Sequence, residues 1–350
     1  MNKDRPVGSP RDRLNVYVVI PNLNGARLIA DCLASLENQS LTHTVVVVDN
    51  GSEDGSAEFI VKTFPCVVVL RQAKNHGFAG GVNLGIRYAL AGGATHIALF
   101  NNDAVAGKDW LERLADGFAR PDTGIVTGKF LKKGGGVIDS VGDEYSVWGL
   151  PYPRGRGETD RGQYDEPAEV FGATGGASLY SAAMLKDIGL FDERFFAYFE
   201  DVDISFRARL AGWRVRYRPD AVSYHVMGAT SGRLQCFFRY HALKNLPMLF
   251  YKNVPLRWWP RILPRFLVLY AALNISALRR GQILPVLKAQ LRLLSYAPGL
   301  IASRVRIQKS RTAPLPELEK LLLGYLPPGQ RSLSWLRRTV FFWRTYPPDR

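Results

Sequence analysis

The segment VVVVDN, residues 45–50, places four consecutive valines in front of an aspartate and an asparagine. A run this apolar and β-branched predicts a strand buried on both faces, because a half-exposed strand would alternate apolar and polar residues. Three further runs share this character: VYVVIP at 16–21, VVVLR at 67–71 and HIALFN at 96–101. Segments of helical character lie between them, such as ARLIADCLASLENQ at 26–39 and GGVNLGIRYALAGG at 80–93. The alternation predicts an α/β fold around a mostly parallel sheet.

The residues that follow each strand are the first candidates for a binding site, since ligands bind such sheets at the carboxyl ends of the strands. These residues are PNLNG at 21–25, DNGSEDGS at 49–56, KNHGFAGGVN at 74–83 and NNDAVAG at 101–107. The same residue types also form ordinary turns and helix caps. The glycines of the third segment would let the backbone approach a phosphate closely. No GxGxxG follows the first strand, so the dinucleotide-binding fingerprint is missing.

Asp103 stands at the end of the buried strand in ALFNND. A carboxylate in this position suits a hard divalent cation, Mg²⁺ or Mn²⁺, that would bridge the aspartate and a diphosphate. The alternative is a turn-forming Asx pair whose aspartate caps a helix beginning near Lys108.

The segment FFAYFEDVDISFRARL, residues 195–210, collects carboxylates beside aromatic side chains. Apolar packing disfavours the charged form of a carboxylate and raises its pKa toward values useful for proton transfer. Asp203 has Arg207 four residues on, and we interpret that pair as structural. The competing interpretation of the whole segment is a helix start, where the dipole stabilises each acid by about 0.3–1 kcal/mol. Phe199, Val202, Phe206 and Leu210 would form its buried stripe.

Composition places the chain among globular proteins: it has 350 residues, 47% of them hydrophobic and 22% charged. Its three cysteines show no CxxC spacing, which is typical of a reducing compartment. The polar lead-in 1–13 lacks the apolar core of a signal peptide, so we expect a cytoplasmic protein. The stretch 132–169 has no clear periodicity, and we expect a mobile loop or hairpin on the acceptor side.

The charge is divided unevenly along the chain. Residues 231–350 contain 21 basic and three acidic residues, whereas the preceding part is almost neutral. This shift predicts a domain of 14–230 followed by a basic, mainly helical region of 231–350. Arginines and aromatics surround an apolar run of about 13 residues, 266–278, which is shorter than the ~18 to 20 that span a bilayer.

We expect this basic region to lie on an anionic membrane surface, at the cytoplasmic face of the membrane. A helical subdomain with its own core and a solvated basic face is the alternative. No recognised nucleic-acid motif is present, so no nucleic-acid partner is expected.

Taken in order, these blocks resemble glycosyltransferase family 2, and in particular its rhamnosyltransferase-type branch. The resemblance runs from about Val16 to His225 and includes GASLYSAAMLKDIGLFDERFFAYFEDVDISFRARLAGWRVRYRPDAVSYH at 176–225. It implies the GT-A fold, a nucleotide-binding α/β sandwich, in agreement with the strand pattern. The sequence departs from the family at one point, because Asn101 occupies the first position of the DxD metal motif.

The resemblance also implies roles for individual residues. Asp201 matches the catalytic base, with Glu200 orienting it or the acceptor, and Asp49 matches the aspartate that binds the nucleotide base. The nucleotide-sugar site would comprise Pro21, Asn22, Asn24, Asp49, Asn50, Gly51, Ser52, Asn75, Gly77, Asn83 and Asn102. The metal site would comprise Asp103, Asn101 and His225. The acceptor side would comprise Gly175, Gly176, Ala177 and Phe199.

Together these features predict an inverting, metal-dependent transferase that moves a single sugar from a nucleotide-diphospho-sugar donor, with dTDP-rhamnose as one candidate. QCFFRY at 235–240 departs from the QxxRW of processive synthases. The acceptor would be a saccharide or a polyprenyl-linked saccharide of cell-surface polysaccharide synthesis. Two alternatives stay open at this point: an inactive nucleotide-sugar-binding scaffold protein, and another nucleotide-using enzyme such as a nucleotidyltransferase.

Overall fold

The computed structural model describes residues 14–226 and 235–326. Its first half alternates strands and helices as the sequence predicts. These elements are β1 (Val16–Asn22), α1 (Ile29–Glu37), β2 (Thr44–Asp49), α2 (Ser56–Thr63), β3 (Val68–Arg71), α3 (Gly77–Ala91) and β4 (His96–Phe100). The four strands are parallel in the spatial order β3-β2-β1-β4. Their carboxyl ends therefore meet at one edge of the sheet.

The valines of β2 show why the four positions before Asp49 are all apolar. Val46 and Val48 pack in the core on the α3 side, and Val47 packs in the core on the α1 side. All three are fully buried. Because helices cover both faces, every position of the strand contributes to a core, at roughly 1.5–3 kcal/mol for each buried side chain.

The next part of the chain extends the sheet and makes it mixed. Its elements are β5 (Ala104–Ala106), α4 (Trp110–Asp116), β6 (Thr123–Lys132), β7 (Ile138–Ser140), β8 (Asp143–Ser146), β9 (Pro151–Pro153), β10 (Ala168–Glu169), β11 (Ala177–Ser181), α5 (Ala182–Ile188), α6 (Glu200–Leu210) and β12 (Arg214–His225). β11 lies antiparallel between β4 and β6, and β12 runs parallel to β6. This α/β sandwich confirms the predicted fold class.

Of the two alternatives expected for 132–169, a mobile loop or a hairpin, the central part of the stretch follows the second, because it forms antiparallel strand pairs. β7 pairs with β6, and β8 pairs with β9. Residues 138–143 are nearly all buried, including Asp139 and Asp143. The strands here are only three or four residues long and carry buried polar side chains, so neither a helical nor a strand period was visible.

The C-terminal part is helical, as predicted; it has a small core cluster of its own, Leu243, Ala277, Val286 and Ala289, and shares a larger one with the preceding part of the chain. It comprises α7 (Gln235–Asn253), α8 (Trp259–Arg279), α9 (Ile283–Lys309), α10 (Leu315–Glu319) and the short β13 (Leu322–Leu323). One hydrophobic cluster joins Phe195, Val202 and Phe206 to Leu246 and Trp258. The predicted boundary near residue 230 thus marks a change in charge, whereas the packing is continuous across it.

One helical segment among the described residues, Leu256–Arg279, is long and apolar enough to cross a membrane by length and composition. Its 18-residue window has a mean hydropathy of 1.3 and is 22% buried in the protein. The apolar run predicted from the sequence is too short because it begins at Phe266, whereas Ile262 and Leu263 belong to the same helix. A single segment of this kind is weak evidence for a span, since buried helices of soluble proteins pass the same test.

Candidate active site

Asn22, at the end of β1, lies at the centre of a polar cluster at the carboxyl edge of the sheet. Its Nδ2 donates to Ser56 Oγ at 2.9 Å and lies 3.3 Å from both Asp49 Oδ1 and Ser52 Oγ. Asn24 has a positive φ of 51°, accepts from Glu53 N and donates its backbone N–H to Ser52 Oγ. The ends of β1 and β2 are therefore held together before any ligand binds.

Asn50 connects this cluster to the start of α3. Its Nδ2 donates to Gly77 O at 2.9 Å, and its Oδ1 accepts from His76 N at 3.1 Å. Asn75 Oδ1 accepts from Gly77 N at 2.7 Å. Gly51 has a φ of +83° and packs against the backbone of Lys74, where a Cβ would be only 3.1 Å away. These contacts bring the second and third predicted segments side by side.

Asn83 has a different role from the one predicted. Its Oδ1 accepts from Phe191 N at 3.0 Å, and its Nδ2 donates to Phe191 O and Glu193 Oε1, both at 2.9 Å. The side chain is buried and its amide is fully engaged within the protein. We therefore correct the nucleotide-binding assignment: the hydrogen bonds of Asn83 connect α3 to the segment that precedes α6.

Asp103 and His225 meet where β12 pairs with β5, since His225 lies opposite Ala104 in the ladder. His225 Nε2 is 3.1 Å from Asp103 Oδ1, and its Nδ1 is 2.9 Å from Asp139 Oδ2. Burial lowers the pKa of His225, but the hydrogen bonds to Asp103 and Asp139 outweigh it and raise the pKa to about 9. Two of the three predicted metal ligands are thus adjacent.

These two side chains fit a divalent cation. Neighbouring ligands of an octahedral ion with bonds of about 2.1 Å lie about 3.0 Å apart, close to the 3.1 Å between Nε2 and Oδ1. Within the described residues, no group of three or more His, Cys, Asp or Glu side chains has the geometry of a metal site on its own. A cation here would need oxygen ligands from elsewhere, such as a diphosphate.

The side chains of Asn101 and Asn102 each contact another residue of the protein. The amide of Asn101 packs over Gly176, where an added Cβ would lie 2.9 Å from its Nδ2. Asn102 Nδ2 donates to Asn22 Oδ1 at 2.9 Å. The structure therefore pairs Asp103 with His225, places the Asn101 amide against Gly176, and links Asn102 to the polar cluster around Asn22.

Asp201 lies in the first turn of α6 and is half-buried. Its Oδ1 accepts from Val202 N at 2.8 Å and its Oδ2 accepts from Gly175 N at 3.1 Å. Burial raises the pKa of this carboxyl, although the two backbone donors oppose the shift. Both donors fix the direction of the carboxylate without neutralising it.

Two further carboxyl groups accompany Asp201. Glu200 is buried, and its Oε2 has no hydrogen-bond partner within the described residues. Burial, reinforced by the charge of Asp201, raises the pKa of Glu200 well above its usual range. Asp143 is equally buried, and burial together with Asp201 raises its pKa in the same way. Asp139 and Asp143 were not predicted as site residues from the sequence, where they lie in the segment VIDSVGDEYSVWGL of 137–150.

The dipeptide Gly175–Gly176 lies between Asp201 and the NND turn. Gly176 O accepts from Asn101 N at 2.9 Å, while the preceding residue donates to Asp201. A Cβ on Gly175 would approach Phe78 and Asp201 to 3.2 and 3.3 Å, so the lack of a side chain permits this close packing. Ala177 is buried in β11 opposite Phe100, so its acceptor-side assignment is wrong.

The loop 195–199 leads directly into α6, the helix that carries Asp201, and it has a strained backbone. Phe196, Tyr198 and Phe199 have positive φ angles of 66°, 70° and 72°, a region that costs a non-glycine residue about 1–3 kcal/mol. Asn245 of α7 supports this loop: its Nδ2 lies 3.1, 2.8 and 2.7 Å from the carbonyl oxygens of residues 195, 197 and 198. Phe199 itself packs against the helical core, which leaves its predicted acceptor contact untested.

The carboxylate of Asp203 is structural, as its spacing from Arg207 suggested. Arg207 Nε donates to Asp203 Oδ2 at 3.0 Å. From α7, Asn253 Nδ2 and Lys252 Nζ each lie 2.8 Å from Asp203 Oδ1. Asp203 is fully buried, and these cationic and amide donors satisfy its charge. It therefore joins α6 to α7 and does not face the site.

Comparisons with known proteins agree with this architecture. The model of the family "Glycosyl transferase family 2" matches residues 17–189. An N-acetylglucosaminyl-diphospho-decaprenol L-rhamnosyltransferase from Mycobacterium tuberculosis is 30% identical over 210 residues, which cover 54% of this chain and 68% of that protein. A pre-mycofactocin glycosyltransferase from the same species is 28% identical over 226 residues, covering 63% of this chain and 44% of that protein.

Among solved structures, a mannosyltransferase from Pyrobaculum calidifontis in complex with GDP-Man and Mn²⁺ superposes with a TM-score of 0.51 at 18% identity, covering 88% of this chain and 84% of that one. TarS from S. aureus gives 0.52 at 19% identity, covering 85% and 55%. These likenesses bear on the fold alone. The chain belongs to glycosyltransferase family 2, has the GT-A fold and resembles the rhamnosyltransferase-type branch, as its sequence blocks predicted.

Proposed function

We propose that this glycosyltransferase moves one sugar from a nucleotide-diphospho-sugar to a lipid-linked saccharide, with inversion at the anomeric carbon and with Mg²⁺ or Mn²⁺ bound. One observation supports this proposal most strongly. The Gly175–Gly176 dipeptide is hydrogen bonded to Asp201 on one side and to the NND turn on the other. Asp201 and the turn that carries Asp103 are thereby hydrogen bonded to two adjacent residues just before β11.

The donor nucleotide would occupy the polar edge formed by Asn22, Asp49 and the start of α3. Asp49 is held near Asn22 and offers a carboxylate to the N–H edge of a base. The positive end of α3 and its glycines suit the diphosphate. The remaining predicted contacts of this edge are Pro21, Asn24, Asn50, Gly51, Ser52, Asn75, Gly77 and Asn102.

Asp103 and His225 would hold the cation together with the diphosphate. A bound divalent ion supplies Lewis-acid stabilisation of the departing nucleoside diphosphate. Asp103 contributes a carboxylate oxygen and His225 its Nε2, at the separation described above. Two solved structures of the same fold contain Mn²⁺, which favours a divalent metal without choosing between the two ions.

Asp201 would accept the proton of the acceptor hydroxyl. As the hydroxyl oxygen forms a bond to the anomeric carbon, the bond from that carbon to the diphosphate oxygen breaks on the opposite face, so the configuration inverts. Gly175 N–H and Val202 N–H hold the carboxylate in place, and burial raises its pKa toward that of an effective base. Glu200, with its raised pKa, would act as a neutral carboxylic acid that orients the acceptor or Asp201.

The choice of substrates rests on the relatives. One relative, from Mycobacterium tuberculosis, is an L-rhamnosyltransferase that acts on N-acetylglucosaminyl-diphospho-decaprenol. By analogy we take a dTDP-deoxysugar such as dTDP-rhamnose as the leading donor, and a polyprenyl-linked saccharide as the acceptor. Such an acceptor would be presented at a membrane.

Helices α8 and α9 offer a surface suited to that membrane. Eleven large apolar side chains of this surface are between 45% and 72% exposed. They are Leu267, Val268, Ile275, Leu278, Ile283, Leu284, Leu287, Leu291, Leu294, Ile301 and Val305. Arginines and lysines at 257, 261, 265, 279, 280, 288 and 292 accompany them. Apolar side chains with a basic surround favour an anionic bilayer surface at the cytoplasmic face.

A donor screen tests the proposed function. UDP-, dTDP- and GDP-sugars would be incubated with Mg²⁺ or Mn²⁺ and a lipid-linked acceptor extract, and nucleoside diphosphate release measured for wild type and Asp201→Asn. We expect metal-dependent release that falls by about 10²–10⁴ in the variant, because it has lost its general base, while donor binding is kept. The control Asp165→Asn changes a surface carboxylate paired with Lys129 and should retain full activity. Turnover that persists in Asp201→Asn would remove the base assignment.

A further inference from the structure

His225 contacts two carboxylates, and the proposed function uses only one of them. Its Nε2 faces Asp103, while its Nδ1 lies 2.9 Å from Asp139 Oδ2. Asp139 lies on β7, a strand that pairs with β6 beside β12. Its side chain is only 3% exposed, so its contact with the imidazole is shielded from water.

The surroundings hold both partners of this contact in place. Arg156 Nη2 lies 3.2 Å from Asp139 Oδ1, and Arg156 Nε donates to the backbone carbonyl of Asp139 at 3.2 Å. The ring of Phe130 stacks on the imidazole, with centroids 4.7 Å apart and an interplanar angle of 23°. The imidazole can therefore neither tilt nor rotate without losing contacts on two sides.

The hydrogen bond to Asp139 decides which nitrogen of His225 is free to bind. A neutral imidazole carries one N–H donor and one lone-pair nitrogen. A carboxylate can only accept, so Asp139 selects the form in which Nδ1 carries the hydrogen and Nε2 keeps its lone pair. In the structure Nε2 lies at hydrogen-bond distance, 3.1 Å, from Asp103 Oδ1, and a divalent cation would take the place of the Nε2 hydrogen. Carboxylates that accept from the second nitrogen of a metal-binding histidine commonly change metal affinity 10- to 100-fold.

We propose that Asp139 is a positioning residue that directs the Nε2 lone pair of His225 toward the divalent cation held with Asp103. This inference rests on the proposed metal dependence of the enzyme. Its importance follows from Asn101, which stands where the DxD motif has its first aspartate and packs against Gly176. With one fewer carboxylate at the ion, His225 supplies a larger share of the protein's ligands, so its orientation matters more.

Calorimetric titration with Mn²⁺ in the presence of inorganic pyrophosphate tests the proposal without requiring turnover or knowledge of the donor. The variants are Asp139→Asn, Asp139→Ala, His225→Ala and the double variant Asp139→Asn with His225→Ala. We expect the two Asp139 variants to bind Mn²⁺ about 10- to 100-fold more weakly than wild type. The double variant should bind no more weakly than His225→Ala, because Asp139 acts only through the imidazole.

Two controls separate the possible failures. Asp165 is a carboxylate of the same region that is paired with Lys129 and not with His225. Asp165→Asn should therefore leave Mn²⁺ affinity unchanged. Asp139→Asn keeps the shape of the buried side chain, so it provides the answer if Asp139→Ala does not fold, and thermal melting verifies its fold. Unchanged affinity in Asp139→Asn, or an additive loss in the double variant, would overturn the positioning role alone. Equal binding by wild type and Asp103→Asn would overturn the metal site and this inference with it.

Discussion

Replacement of Asn245 by alanine tests whether the C-terminal helices form part of the active site. The Asn245 amide of α7 reaches the carbonyl oxygens of residues 195, 197 and 198, in the loop with three positive φ angles, and Lys244 Nζ also donates to the first of them. Removing it leaves buried acceptors without this donor, at about 1–3 kcal/mol. The strained loop then relaxes, and Asp201, two residues beyond it, moves.

The expected result has two parts. A loss of about 1–3 kcal/mol lowers the melting temperature by about 1 to 4 °C in a chain of this size. A displacement of the base by about 1 Å lowers kcat by roughly 10²-fold. Nucleoside diphosphate release and thermal melting measure the two effects separately.

A matched amide provides the control. Asn274 of α8 donates to Tyr270 O within its own helix, so Asn274→Ala should leave kcat unchanged whatever its effect on melting. The reasoning would be refuted if Asn245→Ala melted early but kept wild-type kcat at a temperature where it is folded. In that case the loop geometry would be set by its own packing and not by α7.

Three other expected outcomes follow from the site and the helices. Burial raises the pKa of Asp201, and a carboxylate acts as a base only when it is ionised. On the acid side, kcat/KM should therefore fall at a pH above the ordinary aspartate pKa of about 3.9. A kcat/KM that stays constant down to pH 4 would contradict this. Burial also raises the pKa of Glu200, so folding binds a proton there and the folded state loses stability as the pH rises above the unfolded value. Glu200→Gln should consequently raise the melting temperature more at pH 8 than at pH 5, and an equal shift at both would argue that Glu200 ionises freely. On α9, the double variant Leu291→Glu with Leu294→Glu should bind phosphatidylglycerol vesicles at least 100-fold more weakly in a cosedimentation assay. Each leucine contributes about 1.5–3 kcal/mol to the binding free energy when it is buried in the membrane. Unchanged cosedimentation would exclude this face as the membrane contact.

The sequence predicted best where one physical rule acts alone. Strands buried on both faces are apolar along their length, so β1, β2 and β4 were visible as apolar runs and their polar ends indicated the edge where the donor is proposed to bind. The pairing of Asp103 with His225 was also anticipated, although only through the family resemblance, because 122 residues separate them. Their proximity depends on the pairing of β5 with β12, which no local pattern reveals.

The failures concern residues whose role depends on distant contacts. Asn83 sits in a glycine-rich helix start that suits a phosphate, but its partners Phe191 and Glu193 lie more than 100 residues away. Ala177 follows two glycines that do reach the site, yet it is the first residue of a buried strand. Asp139 and Asp143 lie on strands too short to show a period, so their burial beside the site became apparent only from the structure.

The hydrophobic cluster that joins α6 to α7 and α8 limits how this enzyme can diverge. Because Val202 and Phe206 lie on the helix that carries the base, and Leu246 and Trp258 belong to the C-terminal part, a substitution on either side must be accommodated on the other. Exchange of the C-terminal helices with those of another family member would expose mismatched surfaces next to the base. New acceptor preferences are therefore expected to arise through coordinated point substitutions on both sides of this interface, and not through recombination of interchangeable modules.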